Sequence, residues 1–561
     1  MSAQNKRKNK LVDLDEEDYE GNNAQNSENI YRTSRLLMIT LAAALGGFPV
    51  GYHCGIVAGA QIYLPYEYPN ITVENKARFV SLAFLGAAIC SFFAGTIANK
   101  VGRKMTMILA CCSFIAGSVV LALAMHVVLL YLGRFIVGIG IGFSIVGCQV
   151  YLSECAPDRY RDQMVQVYWL NFFIGLILSY ILPLILPYRL SILFLIPIIS
   201  NVIQIFMVLF TIQESPMFLL THGHSPQAFA NLKQIYDTEK TEGKQELDRH
   251  FKQIQHECEQ NNQQTGIVQC IVEIVTVYRR NLLIGVFLHI LQQFTGINCI
   301  LFYGPSFLKD SGFIGEKETS VLYAMIFLGF MLLLGNIIYF LYGQKVGRRK
   351  LMLFSIPFLG FSILTIEIMM ILNMFSGGFR FGGYITILSL AVFIMFYSLG
   401  FASQPWAICT EIFPNHLRGN ANSLTTVTNW LTNYFVTAAF LKITDGEIGK
   451  LVGYSILVMG NFLCFFFIKG YILETGGKSM EEIVSLYKYA IADDKTMYGD
   501  NQNTNPNKQK RKQQKNHQDD NEEGLLDKKQ SKKPAKNGPS QKDIEMEAKT
   551  QPPRKKQQRY Q

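Results

Sequence analysis

Two charged motifs each occur twice in this sequence, about 250 residues apart, and every copy borders a long apolar stretch. The first motif, Lys-Val-Gly-Arg followed by Lys or Arg, occupies 100–104 and 345–349. The second, Glu-x-x-Pro-x-x-x-Arg, begins at Glu154 and again at Glu411. Duplicated apolar helices joined by charged elbows are typical of membrane carriers built from two related halves. We therefore expect a two-halved membrane protein.

Apolar segments long enough to cross a bilayer, which takes about 20 residues, occur twelve times. We number these predicted spans 1 to 12 in chain order. They lie near 36–60, 79–98, 105–125, 127–151, 164–187, 190–212, 281–307, 319–342, 351–373, 384–409, 422–444 and 450–471. The predicted fold class is an all-α membrane protein with twelve transmembrane helices in two pseudo-symmetric halves of six and with disordered cytoplasmic N- and C-terminal tails.

Changes in composition divide the chain into five predicted parts. A polar N-terminal arm covers 1–35, a first six-helix bundle 36–213, a central loop with short helices 214–280, and a second bundle 281–471. The final part, 472–561, is a basic tail rich in Lys, Gln and Asn. Because such a composition buries too little apolar surface to fold, we expect a mostly disordered tail.

The distribution of charge predicts the orientation. The net charge of +10 gathers in the tail and in alternate connections, around 100–104, 159–161, 345–350 and Arg418. Short loops rich in Lys and Arg stay on the cytoplasmic side, so both termini and the central loop are predicted to be cytoplasmic. Asn70, in an Asn-x-Thr sequence, then falls outside as a predicted glycosylation site. We expect a multi-pass protein of the plasma membrane, and internal membranes stay open as the alternative.

The same charge pattern suits a membrane face rather than a nucleic acid. Basic clusters of the tail, such as 508–512, are candidates for contact with anionic lipids, and a fully solvated tail is the alternative. The eleven cysteines show no C-x-x-C spacing. We predict that they pack as small apolar side chains and form no metal site.

Several further motifs resemble those of one known family. They are Gly133-Arg134-x-x-x-Gly138-x-Gly140-x-Gly142, Glu214-Ser215-Pro216, Gln292-Gln293-x-x-Gly296-Ile297-Asn298-x-x-x-Phe302-Tyr303, Pro405-Trp406, Asn429-Trp430 and Glu474-Thr475-x-Gly477. With these motifs the chain resembles the sugar porter branch of the major facilitator superfamily over about 36–483.

This resemblance implies the major facilitator fold and transport of a monosaccharide, a hexose such as glucose, by alternating access in the lipid bilayer. It implies no cofactor, and no segment combines the nucleophile, base and stabiliser of an enzyme. Two alternatives stay open: a proton-coupled symporter of sugar or a polyol such as inositol, and a non-transporting sugar sensor that signals through its tail. The oligomeric state stays open too.

A substrate site built from carboxamides follows from the chemistry of such a cargo. A sugar leaving water needs replacement hydrogen bonds, and an amide offers donor and acceptor without the cost of burying a charge. Amides that only join helices are the alternative. A regular helix would spread the span 7 amides widely, so we expect local unwinding at Gly296. The predicted substrate-binding residues, some implied by the resemblance alone, are Gln292, Gln293, Asn298, Tyr303, Trp169, Trp406 and Asn429.

The repeated elbows are predicted to form a cytoplasmic gate of ion pairs. The alternative is that these charged residues only set the topology and do not form a gate. The gate residues are Arg103, Glu154 and Arg161 in the first half, and Arg348, Glu411 and Arg418 in the second. The acidic residue that precedes the family's elbow is here Asn99 or Gln344, which predicts a weaker network.

Energy coupling is predicted to depend on span 1. Related proton-driven carriers have aspartate after Gly-Tyr and passive ones usually asparagine, whereas this chain has His53. A histidine titrates near neutrality and can either bind a proton or serve as a neutral hydrogen-bonding group. We expect facilitated diffusion, with His53 as the candidate residue for proton coupling.

Overall fold

The computed structural model of the chain describes residues 30–262, 267–310, 318–376, 381–476 and 482–487. It is helical almost throughout these ranges. The predicted disordered arm up to residue 29 and the tail from residue 488 lie outside the described residues.

The first half contains spans 1 to 6, which start and end close to their predicted positions. Span 1 breaks once at Leu45–Gly46, and span 4 contains one wider π-helical turn, Ile145–Gln149. The six spans are Thr33–Ala44 with Gly47–Glu67, Val73–Val101, Arg103–Ala122, Val127–Ser144 with Val150–Cys155, Arg161–Ile185, and Leu190–Leu195 with Pro197–Thr211.

The second half contains spans 7 to 12. They are Arg279–Phe294 with Ile297–Asp310, Glu318–Val346, Arg348–Ser376, Gly382–Gly400 with Gln404–Glu411, Asn415–Ile443, and Glu447–Tyr471. Four shorter helices connect the halves: Pro216–Thr221, Ser225–Lys233, Thr241–Asn262 and Ile267–Thr276. We call the side of the molecule that carries them the loop side, and the opposite side the far side.

Span 11 differs from the others in polarity. Within the described ranges, eleven helices are both long and apolar enough to cross a membrane, and Asn415–Ile443 is the predicted span that misses this criterion. Its 29 residues are ample for a crossing. The buried Asn429, Asn433 and Thr437 lower its hydropathy. The helix packs along span 2 of the other half, so its polar residues face the protein.

Each repeated elbow is a helix start held by a carboxylate. Gly102 has a φ of 93°, and a Cβ there would lie 2.2 Å from Oε2 of Glu214. That carboxylate accepts the backbone N–H of Arg103 at 2.9 Å. In the second half Gly347 has a φ of 95°, and Glu474 accepts the N–H of Arg349 and of Lys350. Both elbows therefore require glycine. Glu214, of the Glu-Ser-Pro motif, caps span 3, and Glu474, of the Glu-Thr-x-Gly motif, caps span 9.

Span 7 unwinds where the sequence predicts it. The helix stops at Phe294 and restarts at Ile297, with Gly296 at a φ of 93° between them. Asn461 of span 12 donates to the free carbonyl of Thr295 at 3.1 Å. The prediction of local unwinding at Gly296 is confirmed, and a buried amide replaces the hydrogen bond that the break removes.

Order extends further into both tails than predicted. The carbonyl of Ile30 accepts the N–H of Asp237, and the N–H of Arg32 donates to Ile235, each at 2.8 Å. The end of the predicted arm thus pairs with the central loop. In the predicted tail, 482–487 is helical, and the buried Tyr487 accepts the N–H of Leu473 at 3.0 Å. The tail therefore contains an ordered turn because its apolar side chains pack on the bundle.

Candidate functional site

A small cavity lies between the two halves and collects most of the predicted substrate-binding residues. Its volume is about 100 Å³, well below the roughly 300–1,000 Å³ of open ligand sites. The chain contains three tryptophans, and all three line this cavity. Lining residues include Val50, Cys54, Phe84, Tyr168, Trp169, Gln292, Gln293, Asn298, Leu332, Tyr397, Trp406, Asn429, Trp430 and Asn433.

A larger hollow of about 600 Å³ lies on the outer surface between spans 7 and 12. Its walls are apolar side chains such as Phe287, Met459 and Leu463, which are about half exposed, and its one polar residue is Ser455. Such a surface matches acyl chains rather than a polar solute. The smaller central cavity is therefore the candidate site.

Gln292 is held entirely by the protein. Its Nε2 donates towards the Phe401 carbonyl at 3.2 Å and the Ala402 carbonyl at 3.3 Å, and lies 3.3 Å from the Tyr397 hydroxyl. Its Oε1 accepts from Nδ2 of Asn429 at 2.9 Å. Gln292 thus positions Asn429 between spans 7 and 11 rather than offering free groups to a solute.

Gln293 and Asn298 form a second amide pair across the break in span 7. Nδ2 of Asn298 donates to Oε1 of Gln293 at 2.6 Å. The Nε2 of Gln293 and the Oδ1 of Asn298 make no hydrogen bond with described residues. The unwinding at Gly296 brings together two residues that a regular helix would separate. The pair offers one donor group and one acceptor to the cavity.

Aromatic rings close the cavity towards both sides. Phe84 of span 2 stacks on Trp430 at 6.0 Å and on Phe302 at 5.3 Å, which joins the two halves. Trp169 and Trp406 lie on the loop side of the amides, near the loop-side ends of spans 5 and 10. Apolar ring faces and amides therefore line the same space, as the C–H faces and hydroxyls of a sugar require.

Tyr303 is the predicted substrate-binding residue that does not line this cavity. It is buried between spans 7 and 11, where its hydroxyl donates to the Thr437 carbonyl at 2.9 Å and its ring stacks on Phe440. The helix turn of span 7 after the break directs it into the second bundle. The other six predicted residues all line the cavity.

Sequence reasoning missed two further polar residues at or beside the cavity and one at the loop side. His289 lies one turn before Gln292, is fully buried, and contacts Asn429 at 2.9 Å. Asn433 lies one turn after Asn429 and lines the cavity. Asp162, next to the predicted Arg161, approaches Arg348 of the other half at 3.9 Å. Helical spacing of i to i+3 or i+4 from predicted site residues was the available signal for the first two.

His53 lies outside the cavity lining, in a buried cluster of the first half. Its Nε2 is 3.2 Å from the Ser118 hydroxyl, and its ring stacks on Phe114. Its backbone carbonyl accepts from Arg134 at 2.9 Å. Arg134 also donates to the Phe79 carbonyl and lies over the Phe79 ring. In the described part of the chain no carboxylate pairs with Arg134.

The first-half elbow forms a compact ion-pair network on the loop side. Arg103 donates through Nε and Nη2 to the carboxylate of Glu154, at 3.0 and 2.8 Å. The hydroxyl of Ser215 donates to the same carboxylate. Arg103 therefore links span 3, the end of span 4 and the first residues of the central loop.

The second-half elbow repeats this contact and adds a bridge between the halves. Arg348 donates to Glu411 and approaches Asp162 of span 5. Arg418 lies within electrostatic range of Glu257, Arg161 and Glu411. The six predicted gate residues therefore all lie on the loop side, although the pairing within each half runs through Arg103–Glu154 and Arg348–Glu411.

The far side has its own bridge between the halves. Nζ of Lys442, at the end of span 11, lies 3.2 Å from Oε1 of Glu74, at the start of span 2. Arg78 contacts the same carboxylate at 2.7 Å. Asn70 is exposed nearby in the loop between spans 1 and 2, and Thr72 caps span 2 by accepting from Asn75. Ion pairs thus bridge the two halves at both sides of the small cavity.

Two helical bundles around a central polar cavity, with ion pairs at both sides, define a multi-pass membrane carrier. Residues 39–487 match the family described as sugar (and other) transporters. The chain belongs to this family, whose members are transporters and not enzymes.

Individual relatives are distant but match over most of their length. A probable inositol transporter 2 of Arabidopsis thaliana is 24% identical, with 81% of this chain and 91% of that protein covered. The glucose transporter GlcP of Staphylococcus epidermidis is 27% identical, with 80% and 96% covered. The structure of the proton:xylose symporter XylE bound to 6-bromo-6-deoxy-D-glucose superposes with a TM-score of 0.69 at 23% identity, covering 82% and 100%. The last comparison shows the major facilitator fold.

Proposed function

We propose that the chain carries a monosaccharide, a hexose such as glucose, across the membrane by alternating access and facilitated diffusion. We infer the substrate class from the central cavity. There, amide groups of Gln293, Asn298 and Asn429 that make no hydrogen bond with described residues lie beside three tryptophans. A polyhydroxylated ring needs hydrogen-bonding partners at its rim and apolar cover on its faces. The site supplies both without a charged residue among its lining side chains.

The cluster around His53 supports transport without proton coupling. A protonated His53 would place a second positive charge beside Arg134, in a fully buried environment that contains no paired carboxylate among the described residues. Burying uncompensated like charges costs several kcal/mol per ion. His53 therefore serves as a neutral group that binds Ser118, and Arg134 fastens spans 1, 2 and 4 through backbone carbonyls.

The ion pairs at the two sides act as alternating gates. Opening to the far side breaks Glu74–Lys442, and opening to the loop side breaks Arg348–Asp162 and the contacts around it. Exposed pairs contribute about 0–1 kcal/mol each. Several together bias an equilibrium between two conformations by a few kcal/mol, enough to change which side is open.

The orientation and the location belong to the same proposal. The loop side carries the basic elbows and is therefore cytoplasmic by the distribution of Lys and Arg. Asn70 then faces the outside of the plasma membrane as a glycosylation site.

Uptake into vesicles tests the proposal. The full chain is reconstituted, and initial uptake of labelled glucose, xylose, galactose and inositol is measured with and without an inward proton gradient. We expect saturable hexose uptake that the gradient does not change. The matched variant His53→Asp adds a carboxylate beside Arg134, and we expect its uptake to become dependent on pH.

Three results would redirect this proposal. Wild-type uptake that rises several-fold with the gradient would establish symport instead. Uptake of inositol without any hexose would favour polyol transport, which the similarity to a probable inositol transporter supports. Uptake of none of these solutes would leave the sensor function as the better proposal.

A further inference from the structure

The direction of the hydrogen bonds around Asn429 is fixed by the backbone. The carbonyls of Phe401 and Ala402 only accept hydrogen bonds, so the Gln292 group that faces them must be its Nε2. The Oε1 of Gln292 therefore faces Asn429. Only the Nδ2 of Asn429 can satisfy that oxygen, at 2.9 Å.

His289 completes this chain of hydrogen bonds. Its Nδ1 lies 2.9 Å from the same Nδ2 of Asn429. Because an amide nitrogen donates and does not accept, this Nδ1 must be the unprotonated nitrogen of a neutral imidazole. Both N–H groups of Asn429 are then used, one by Gln292 and one by His289. The ring of His289 is held in turn by edge-to-face contact with Trp406 at 4.9 Å.

We infer that His289 is a positioning residue that makes Asn429 an acceptor-only contact for one hydroxyl of the sugar. Asn429 lines the cavity, and its Oδ1 makes no hydrogen bond with described residues. With its nitrogen occupied, Asn429 accepts a hydrogen bond from a hydroxyl and rejects a group that cannot donate one. The inference rests on the proposed function and names a specificity determinant within that site.

Fluorine-substituted sugars distinguish an acceptor-only contact from a flexible one. A fluorine has nearly the shape and polarity of a hydroxyl but carries no hydrogen to donate. Opposite an acceptor-only Oδ1, a fluoro sugar therefore binds as poorly as the corresponding deoxy sugar. Opposite a freely rotating amide, the N–H₂ group can turn towards the fluorine and part of the affinity returns.

The experiment uses the full chain in detergent and measures binding by the quenching of tryptophan fluorescence. This signal reports the cavity directly because every tryptophan lines it. The probes are glucose and its monodeoxy and monodeoxyfluoro derivatives at each ring position. For the wild type we expect fluorine to weaken binding about tenfold or more at the position opposite Asn429, the usual loss of one buried hydrogen bond.

Two variants of His289 separate positioning from packing. His289→Leu puts a methyl where Nδ1 lies, and we expect the fluorine penalty to fall to about threefold or less at that single position. His289→Asn restores an acceptor atom two bonds from Cβ, as Nδ1 is, and should keep the wild-type penalty. Positions opposite Asn298, which donates to Gln293 and makes no hydrogen bond with His289, should be unchanged in both variants.

The outcomes are distinguishable from failure of the proposed function. If the wild type binds glucose but tolerates fluorine at every position, the inference is wrong while the proposed function stands. Equal loss of selectivity in the Leu and Asn variants would show that the imidazole acts by shape alone. If the wild type shows neither quenching nor uptake of any sugar, the proposed function fails and the inference falls with it. Since the first comparison needs the wild type only, it can contradict the inference even if a variant does not fold.

Discussion

At the scale of single residues, the site depends on which amide atoms remain free. Gln292 uses both its amide nitrogen and its amide oxygen in hydrogen bonds with the protein. By contrast, the Nε2 of Gln293 and the Oδ1 of Asn298 and of Asn429 remain available to a solute. Neighbouring amides in one motif therefore have different roles. A buried polar group that is already satisfied stabilises the fold, and one that is not satisfied is ready for a solute.

Tyr303 gives the first test of this distinction. Tyr303→Phe removes its hydrogen bond to the Thr437 carbonyl but changes nothing in the cavity lining. We expect a loss of about 1 kcal/mol in stability, seen as a lower melting temperature, with an unchanged KM for glucose. A KM raised several-fold at an unchanged melting temperature would instead place Tyr303 at the substrate, as the resemblance implies.

The polar cluster of span 7 could be predicted from sequence because its motif is local. The sequence did not predict the direction in which Tyr303 points, the contact of Asp162 with Arg348 or the role of His289. Each depends on how helices distant in sequence are rotated against one another, and a linear pattern does not contain that rotation. Glu214 and Glu474 were recognised as motif residues, yet their capping of spans 3 and 9 needed the three-dimensional contact.

At the scale of the elements, the break in span 7 is the feature on which the site depends. Gly296 has a positive φ, and the tight contact of Gly460 with the Phe294 carbonyl fixes span 12 against it. The hydrogen bond from Asn461 holds the same point. These contacts let the helix unwind without leaving its backbone unsatisfied, and they set the distance between Gln293 and Asn298.

Substitution of Gly296 tests the importance of the break. Gly296→Ala forces an L-residue into the left-handed region, which costs about 1–2 kcal/mol, and its Cβ would lie 2.8 Å from Leu457. We expect a lower melting temperature and at least about tenfold weaker glucose binding. The matched control is Gly470→Ala in span 12, where nothing lies within 4 Å. An equal effect of the two substitutions would contradict a special role for the break.

At the scale of the whole molecule, an ion pair between described residues bridges the two halves at each side. Glu74–Lys442 joins spans 2 and 11 at the far side, and Asp162–Arg348 joins spans 5 and 9 at the loop side. The stacked rings of Phe84, Phe302 and Trp430 add an apolar contact between them. Because each bridge is partly exposed, it is weak enough to break during a transport cycle.

Neutralising one bridge at a time should shift the molecule in opposite directions. We expect Lys442→Met to favour the form open at the far side and Asp162→Asn the form open at the loop side, each by up to about 1 kcal/mol or a factor of five. The measurement is the labelling rate of a cysteine introduced at Leu332 in the cavity, in a variant that lacks the exposed native Cys112 and the native Cys54, which lines the same cavity. Reagent added from one side should label one variant faster and the other more slowly. The same direction of change in both variants would contradict the assignment of the two gates.

The central claim is that carboxamides in the middle of the protein replace the hydration of a polyhydroxylated solute. The direct test is saturable glucose uptake by the double variant Gln293→Leu and Asn298→Leu in vesicles, with correct folding verified by its melting temperature. Each lost hydrogen bond costs about 1–3 kcal/mol, so we expect kcat/KM to fall at least about thirtyfold. Glucose uptake at the wild-type rate and KM in this folded double variant would contradict the account.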